Sequence, residues 1–282
     1  MTLAEALRRA SERFDSDSAA LEAQLLLCAA LDVPRSRLYS HPEQILSAAQ
    51  AECFAQLCDR REAGEPIAYI LGRRGFWDLE LQVAPGVLIP RPETELLVEL
   101  ALDLVSDVKG RVADLGAGSG AIGLVLASER PHWQVVAVER SAAAADVARR
   151  NFEAAGLPNL TLRQGSWCEP LIERNYIAIV SNPPYLAAND PHLSQGDLRY
   201  EPSSALAAPE NGLADLRHLA ETTPYYLAAN GWLLMEHGWE QGEAVRDLLQ
   251  RGGFTNIRTY RDTAGRERVT LGQKPPLETD HD

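Results

Sequence analysis

A mainly parallel α/β sheet, preceded by a small helical domain, is the fold this chain predicts, on three observations. From residue 111 onward, short apolar runs alternate with stretches of helical spacing. Residues 1 to about 75 carry helical patterning alone. Between the two, Phe76 to Ile89 alternates apolar and polar residues around Pro85-Gly86, a hairpin signal. The chain has 282 residues, which suits one large domain and one small one.

In the helical part, Ala19 to Leu31 is rich in Ala and Leu, with Leu21, Leu25 and Leu26 on one stripe. Ser47-Ala48-Ala49-Gln50 fits a capping box, the Ser hydroxyl accepting the Gln50 N–H while the Gln side chain reaches back. That helix carries Phe54, Leu57 and Arg61 on one face and stops at Gly64, with Pro66 just beyond. No catalytic constellation falls here, which points to recognition or support. Pro90-Arg91-Pro92 then breaks the chain, and helical spacing resumes from Glu93 to Leu104. The expected division is a helical domain over 1–73, a hairpin linker over 74–92, the α/β domain over 93–274 and a disordered tail over 275–282.

Seven strands are predicted in the large domain, at 111–115, 134–138, 160–163, 176–181, 230–236, 254–260 and 267–272. Helical stretches separate the first five, as a parallel sheet covered on both faces requires. Arg261 to Arg266 is too short for a crossover helix, so the last pair is antiparallel.

Composition narrows the function. No apolar run approaches the ~20 residues of a membrane span, and the N-terminus lacks a secretory signal's uncharged core, so a cytoplasmic address is expected. The four cysteines form no Cys-x-x-Cys pair and no histidines cluster near them, so no metal is expected and the thiols read as reduced and mostly buried. A net charge of −13 leans away from a nucleic-acid backbone and towards a protein or small-molecule substrate.

Two motifs carry the chemistry. Asp114-Leu115-Gly116-Ala117-Gly118-Ser119-Gly120 closes the first apolar run of the sheet. Its glycines permit a tight turn and close backbone approach, and a helix starting near Ala121 offers free N–H groups to a carboxylate or phosphate. Gly118, Gly120 and Gly123 also satisfy Gly-x-Gly-x-x-Gly, which keeps a dinucleotide site open. Asp114 shifts the balance towards S-adenosylmethionine, since a carboxylate there could face an ammonium and would be unwelcome to a pyrophosphate. Glu139, closing the second strand, sits where an acid accepts both ribose hydroxyls of either ligand. Trp167, after the third strand, could stack on an adenine.

The second motif, Asn182-Pro183-Pro184-Tyr185, follows the apolar run Ile177 to Val180. Consecutive prolines force the backbone out of the sheet after Asn182, at the end where ligands of such sheets bind. The Asn182 side-chain oxygen and the Pro183 carbonyl can each accept one N–H of a planar –NH2 group. That orients a poor nucleophile at an activated methyl and favours its developing positive charge. Tyr185 can pack over the planar group. Together the motifs imply methyl transfer from S-adenosylmethionine to a planar nitrogen.

At these residues the chain resembles the class I methyltransferases, and within them the PrmC/HemK family of peptide chain release factor glutamine methyltransferases. The resemblance runs from about Leu21 to Gly272. It takes in Gly64-Glu65-Pro66-Ile67-Ala68-Tyr69-Ile70, Phe76-Trp77, Ile89-Pro90-Arg91-Pro92-Glu93-Thr94-Glu95, both motifs above, Gln195 to Pro202, and Glu236-His237-Gly238-Trp239. It implies a Rossmann-like sheet of seven strands with an antiparallel last strand, and S-adenosyl-L-methionine held by Gly116, Ala117, Gly118, Ser119, Gly120, Glu139, Trp167 and Asn182. It further implies a substrate glutamine, in the Gly-Gly-Gln motif of release factors, on Asn182, Pro183, Pro184 and Tyr185. The family usually has Asp where this chain has Glu139. A monomer without direct contact to nucleic acid or membrane is expected, its helical domain gripping the release factor. The rivals are a glutamine methyltransferase of a ribosomal protein, an adenine or cytosine amino-methyltransferase, an NAD-dependent dehydrogenase, and a non-catalytic binding module. Of the histidines only His237 lies near a strand's carboxyl end, and a structural role is expected for it.

Overall fold

The computed structural model describes residues 1–105 and 109–276. They form two compact units, Met1–Arg73 with Ser194–Tyr200, and Arg74–Leu193 with the chain from Glu201 onward. Of the tail expected at 275–282, residues 277–282 lie outside the described residues.

The first unit is built from α1 (Leu3–Ser11), α2 (Ala19–Leu31), α3 (Arg35–Ser40), α4 (Ala48–Glu62) and α5 (Ile67–Leu71). The Ser47 capping box forms as the spacing predicts, with Ser47 N–H donating to Gln50 Oε1 at 3.0 Å and Gln50 N–H to Ser47 Oγ at 3.2 Å. The apolar stripe of α2 differs from expectation. Leu26 and Leu27 are fully buried with Ala23, whereas Leu21 is 41% exposed. The stripe is rotated because Glu22 also points inward, where Arg61 donates to both its oxygens at 2.8 and 3.0 Å. Ser194–Tyr200 lies against the end of α4. Arg61 reaches Asp197 at 3.3 Å, the Tyr200 hydroxyl donates to Ala63 O at 2.5 Å, and a Cβ on Gly64 would fall 1.7 Å from Arg199 Nη2.

The second unit opens with the two-stranded sheet β1 (Arg73–Phe76) and β2 (Leu79–Gln82). The hairpin turn falls at Trp77-Asp78, with Trp77 at φ 57°, and not at Pro85-Gly86. Trp77 N–H donates to Glu95 Oε1 at 2.9 Å and its indole N–H to Glu129 Oε1 at 2.9 Å, so tertiary partners hold a backbone conformation that tryptophan alone would avoid. Next come α6 (Glu95–Leu104), β3 (Arg111–Leu115), α7 (Ala121–Glu129), β4 (Gln134–Glu139), α8 (Ala142–Ala155), β5 (Leu160–Gln164) and β6 (Tyr176–Ser181). The short pieces β7 (Leu186–Ala187), α9 (Ser203–Leu206), β8 (Ala207–Ala208) and α10 (Pro209–Gly212) lead to α11 (Ala214–Thr222), β9 (Leu227–Glu236), α12 (Gly242–Arg251), β10 (Thr255–Arg261) and β11 (Glu267–Gln273).

All seven predicted strands form one sheet, ordered β10-β11-β9-β6-β3-β4-β5. The pairs β5-β4, β4-β3, β3-β6 and β6-β9 are parallel, and β11 is antiparallel to both β9 and β10. Alternation along the strands sorts the core into two layers. Val112, Ala178, Val180 and Leu234 pack under α6 and α7, while Ala113, Leu115, Ile179, Leu233 and Met235 pack under α11 and α12. Strand order reverses between β3 and β6, which opens a ligand crevice at their carboxyl ends.

Candidate active site

Register alone brings the two motifs together. Leu115 pairs with Ser181 across β3 and β6, so the glycine loop and the Asn-Pro-Pro-Tyr turn leave the sheet side by side. The Ser181 hydroxyl donates to Leu115 O at 2.7 Å and pins the two strand ends. On the other flank, Leu115 pairs with Val138 and Glu139 with Gln164, which sets Glu139 and Trp167 along the same edge. A cavity of about 1070 Å³ including its open mouth lies there. Its walls include Gly116 to Ser119, Glu139, Trp167, Asn182 and Pro184.

The loop is built for close approach. Gly116 has φ 77°, and a Cβ there would sit 3.2 Å from the Trp167 ring, so the indole lies directly over it. Gly118 has φ 58° and a Cβ there would meet nothing within 4 Å, which leaves the loop's open face to a ligand. Glu139 ties the parts together, its Oε2 accepting the Gly118 N–H at 2.8 Å and its Oε1 the Ser141 N–H at 2.7 Å. Each oxygen keeps a lone pair for a hydroxyl in the cavity. Asp215 is another residue of the same wall.

Four predicted site residues stand outside the cavity wall. Asp114 was expected to face a ligand, but alternation puts it on the α7 face with Val112, fully buried. Its Oδ2 accepts the Gly123 N–H at 2.9 Å, Oδ1 has no partner, and burial pushes its carboxyl up to about 7. It braces the helix beneath the loop. Gly120 is a packing glycine, because a Cβ there would lie 2.3 Å from Phe152 Cε1. Pro183 is buried behind the turn, and Tyr185 points back into the protein. The Tyr185 N–H donates to Leu206 O at 3.2 Å, its carbonyl accepts from Gln241 Nε2 at 2.9 Å, and its hydroxyl donates to Glu236 Oε1 at 3.1 Å. Those three anchors turn the ring away from the open crevice, and desolvation holds its phenol above the usual range.

Asn182 lines the cavity, and its Nδ2 donates to Thr94 Oγ1 at 3.2 Å. Its Oδ1 is thereby the group left to accept. Arg91 is also in the wall and pairs with Glu201, whose buried carboxylate additionally accepts the Ile89 N–H at 3.2 Å. That pair joins the rim segment to the wall formed by Pro202, Ser204 and Ala205. His237 is fully buried, with Nδ1 on Gly238 O at 2.8 Å and Nε2 on Thr270 Oγ1 at 2.7 Å, in the structural role expected.

Residues 5–72 match the PrmC N-terminal domain family, and residues 92–196 the methyltransferase small domain family. The chain is 51% identical over 277 residues to the release factor glutamine methyltransferase of Vibrio cholerae, covering 97% of each. It is 50% identical over 273 residues to that of Pseudomonas aeruginosa, covering 97% of this chain and 99% of that protein. The chain belongs to the release factor glutamine methyltransferase family. It is accordingly a methyltransferase. Among solved structures, a methyltransferase from Pyrococcus furiosus aligns with a TM-score of 0.52 at 16% identity, over 78% of this chain and 99% of that one. The hMettl16 catalytic domain in complex with MAT2A 3′UTR hairpin 6 aligns at 0.55 and 16%, over 82% of each. At such identity these two show the fold alone.

Thr94, Asp215 and Glu201 in this methyltransferase's site were missed by sequence reasoning. Thr94 and Glu201 sit inside quoted motifs, yet nothing in their spacing says that one meets Asn182 and the other Arg91. No helix among the described residues is long and apolar enough to cross a membrane.

Proposed function

We propose that this methyltransferase transfers the methyl group of S-adenosyl-L-methionine to N5, the side-chain amide nitrogen, of the glutamine in the Gly-Gly-Gln motif of peptide chain release factors. The observation that carries the proposal is the commitment of Asn182. With Nδ2 given to Thr94, its Oδ1 is the free end at the edge of a cavity lined by the glycine loop.

The residues present fit the cofactor. The open space above Gly118 admits a ligand against the backbone, the indole over Gly116 offers a face for adenine, and Glu139 retains lone pairs for ribose hydroxyls. The N-terminal N–H groups of α7 favour a carboxylate nearby. When bound, this cofactor supplies a methyl carbon activated by a positive sulfur. Glu139 has a longer arm than Asp, and its two backbone bonds draw it back to the loop.

The turn orients the nucleophile. Asn182 Oδ1 and the Pro183 carbonyl accept the two N–H bonds of the glutamine amide, which fixes the plane of the nitrogen and turns its lone pair to the methyl. As positive charge develops on nitrogen, both acceptors hold its hydrogens more strongly, which favours the transition state over the ground state. The proton is acidic once transfer has occurred, so solvent can remove it without a dedicated base.

The curated relatives of this family are named for release factors, and the Gln195 to Pro202 and Glu236 to Arg246 segments support the same branch over the ribosomal-protein one. We take the helical unit as the part that grips the protein substrate and the enzyme as a cytoplasmic monomer. Incubation with labelled methyl donor and, separately, release factor, ribosomal protein or DNA tests the proposal. Label on the release-factor glutamine is the expected result. Label only on ribosomal protein or only on DNA would contradict it.

A further inference from the structure

We infer that Gln241 is a positioning residue for methyl transfer: its carboxamide fixes the far end of the Asn182–Tyr185 turn and so sets where the two acceptors of that turn stand. The inference rests on the roles proposed above for Asn182 and the Pro183 carbonyl.

A turn with two consecutive prolines has little with which to hold itself. Pro183 and Pro184 carry no N–H, so the direction of the segment is set where it enters and where it leaves. The entry is fixed by register and by the Ser181 hydroxyl on Leu115 O at 2.7 Å. At the exit, the Tyr185 N–H donates to Leu206 O at 3.2 Å, and the Tyr185 carbonyl accepts from Gln241 Nε2 at 2.9 Å. Leu206 ends a helix of only four residues, α9. Gln241 instead stands at the start of α12, whose Val245 and Leu249 are fully buried. Its backbone is held on both sides, the Gln241 N–H donating to Gly238 O at 2.9 Å and its carbonyl accepting the Val245 N–H at 2.9 Å. Gln241 is the firmer of the two exit anchors.

The partners dictate the residue type. Gln241 Oε1 accepts the Gly238 N–H at 2.8 Å, while Nε2 faces two carbonyls, Tyr185 O and, at a longer 3.4 Å, Asn211 O. A backbone N–H only donates and a carbonyl only accepts, so the side chain must offer both functions on one planar end, in one orientation. A carboxamide does so, whereas an ionised carboxylate of the same shape would oppose both carbonyls. The facing backbone is shaped to the same contact. Glu210 and Asn211 have φ 56° and 54°, and Gly212 has φ 85°. A Cβ on Gly212 would fall 2.0 Å from Tyr185 O and 2.9 Å from Gln241 Nε2, so glycine is what lets this left-handed turn close around the carbonyl. Left-handed residues other than glycine persist where their surroundings over-determine them, and they cluster at functional sites. Gln241 does not line the cavity, so its effect on the reaction passes through the turn.

The test is kinetic, on the full-length enzyme with release factor as substrate and kcat expressed per site titrated with S-adenosylhomocysteine. Gln241→Glu keeps the acceptor for the Gly238 N–H and loses the donor for Tyr185 O. Gln241→Met keeps the bulk and loses both. A displacement of about 1 Å at reacting groups can cost roughly a hundredfold, so both variants should lower kcat by roughly ten- to hundredfold. The dissociation constant of S-adenosylhomocysteine should stay within about twofold of wild type. Gly212→Ala presses on the same carbonyl from the opposite side and should show the same split. Val245→Ala removes buried methyls from the same helix but leaves the bond to Tyr185 in place. It should lower Tm and keep kcat within about twofold.

Wild-type kcat in Gln241→Glu overturns the inference. So does an equal loss of kcat in Val245→Ala, which would make the effect one of general destabilisation. A loss of cofactor affinity as large as the loss of kcat overturns it too. Should Gln241→Glu fail to fold, Gln241→Met and Gly212→Ala decide on the same criteria. A wild-type enzyme inactive on release factor would overturn the proposed function itself. An active wild type beside an equally active Gln241→Glu would overturn the positioning role alone.

Discussion

Asn182 and Asp114 occupy matching places, one just past the end of a central strand and one just before it, yet they face opposite tasks. Asn182 lies in the crevice with its nitrogen occupied by Thr94. Asn182→Ala should therefore lower turnover by roughly 10²–10³-fold while leaving the affinity for S-adenosylhomocysteine within about twofold, as single-turnover kinetics and calorimetry would measure. Near-normal turnover would remove its assigned role. Asp114 is buried under α7, and that burial pushes its carboxyl from an ordinary 3.8 up to about 7. An acid raised on folding keeps its proton in the fold while the unfolded chain ionises, so it costs stability as pH rises from about 4 to about 7. Asp114→Asn keeps an acceptor for the Gly123 N–H and has no proton to lose. Its stability relative to wild type should grow between about pH 4.5 and 7.5 in denaturant titrations, and a pH-independent difference would contradict the assignment. That Asp114 faces inward was legible in principle, since Val112 and Asp114 share a strand face. The expectation erred by weighing the charge without the alternation.

At the scale of elements, the glycine loop divides its labour. Gly118 opens on the cavity and Gly120 is packed on Phe152. Both have positive φ, so alanine is strained at either, by about 1 kcal/mol from the backbone alone. Gly120→Ala adds a steric clash and should lower stability by about 1–3 kcal/mol more, seen as a fall in Tm with cofactor affinity changing less. Gly118→Ala should show the reverse, a small Tm change and a marked loss of cofactor affinity. Identical profiles for the two would refute the division. The loop's strand-turn-helix setting was legible because glycine spacing and hydrophobic period agree there. The hairpin turn was not, because Pro85-Gly86 carries the stronger local signal while Trp77 takes φ 57° only through bonds to Glu95 and Glu129, which are distant in sequence.

For the molecule as a whole, strand existence and direction could be read from apolar runs and connection lengths, and seven of seven expected strands appear in one sheet. Strand order was not legible from residues, since parallel neighbours β3 and β6 are far apart in the chain. The same distance hid Thr94 beside Asn182, and it hid Asp197, Arg199 and Tyr200 against the end of α4, where Gly64 leaves room for Arg199. Because the helical unit holds no nucleotide loop, deleting residues 1–73 should weaken binding of release factor and spare binding of S-adenosylhomocysteine. Equal affinity of truncated and full chains for release factor would contradict that division of roles.

The most direct measurement is mass spectrometry of release factor digested after incubation with this enzyme and S-adenosyl-L-methionine. The account predicts one methyl group on the amide nitrogen of the Gly-Gly-Gln glutamine, and none when Asn182→Ala replaces the wild type over the same time. An unmodified glutamine, or a methyl group on any other residue of the peptide, would contradict it.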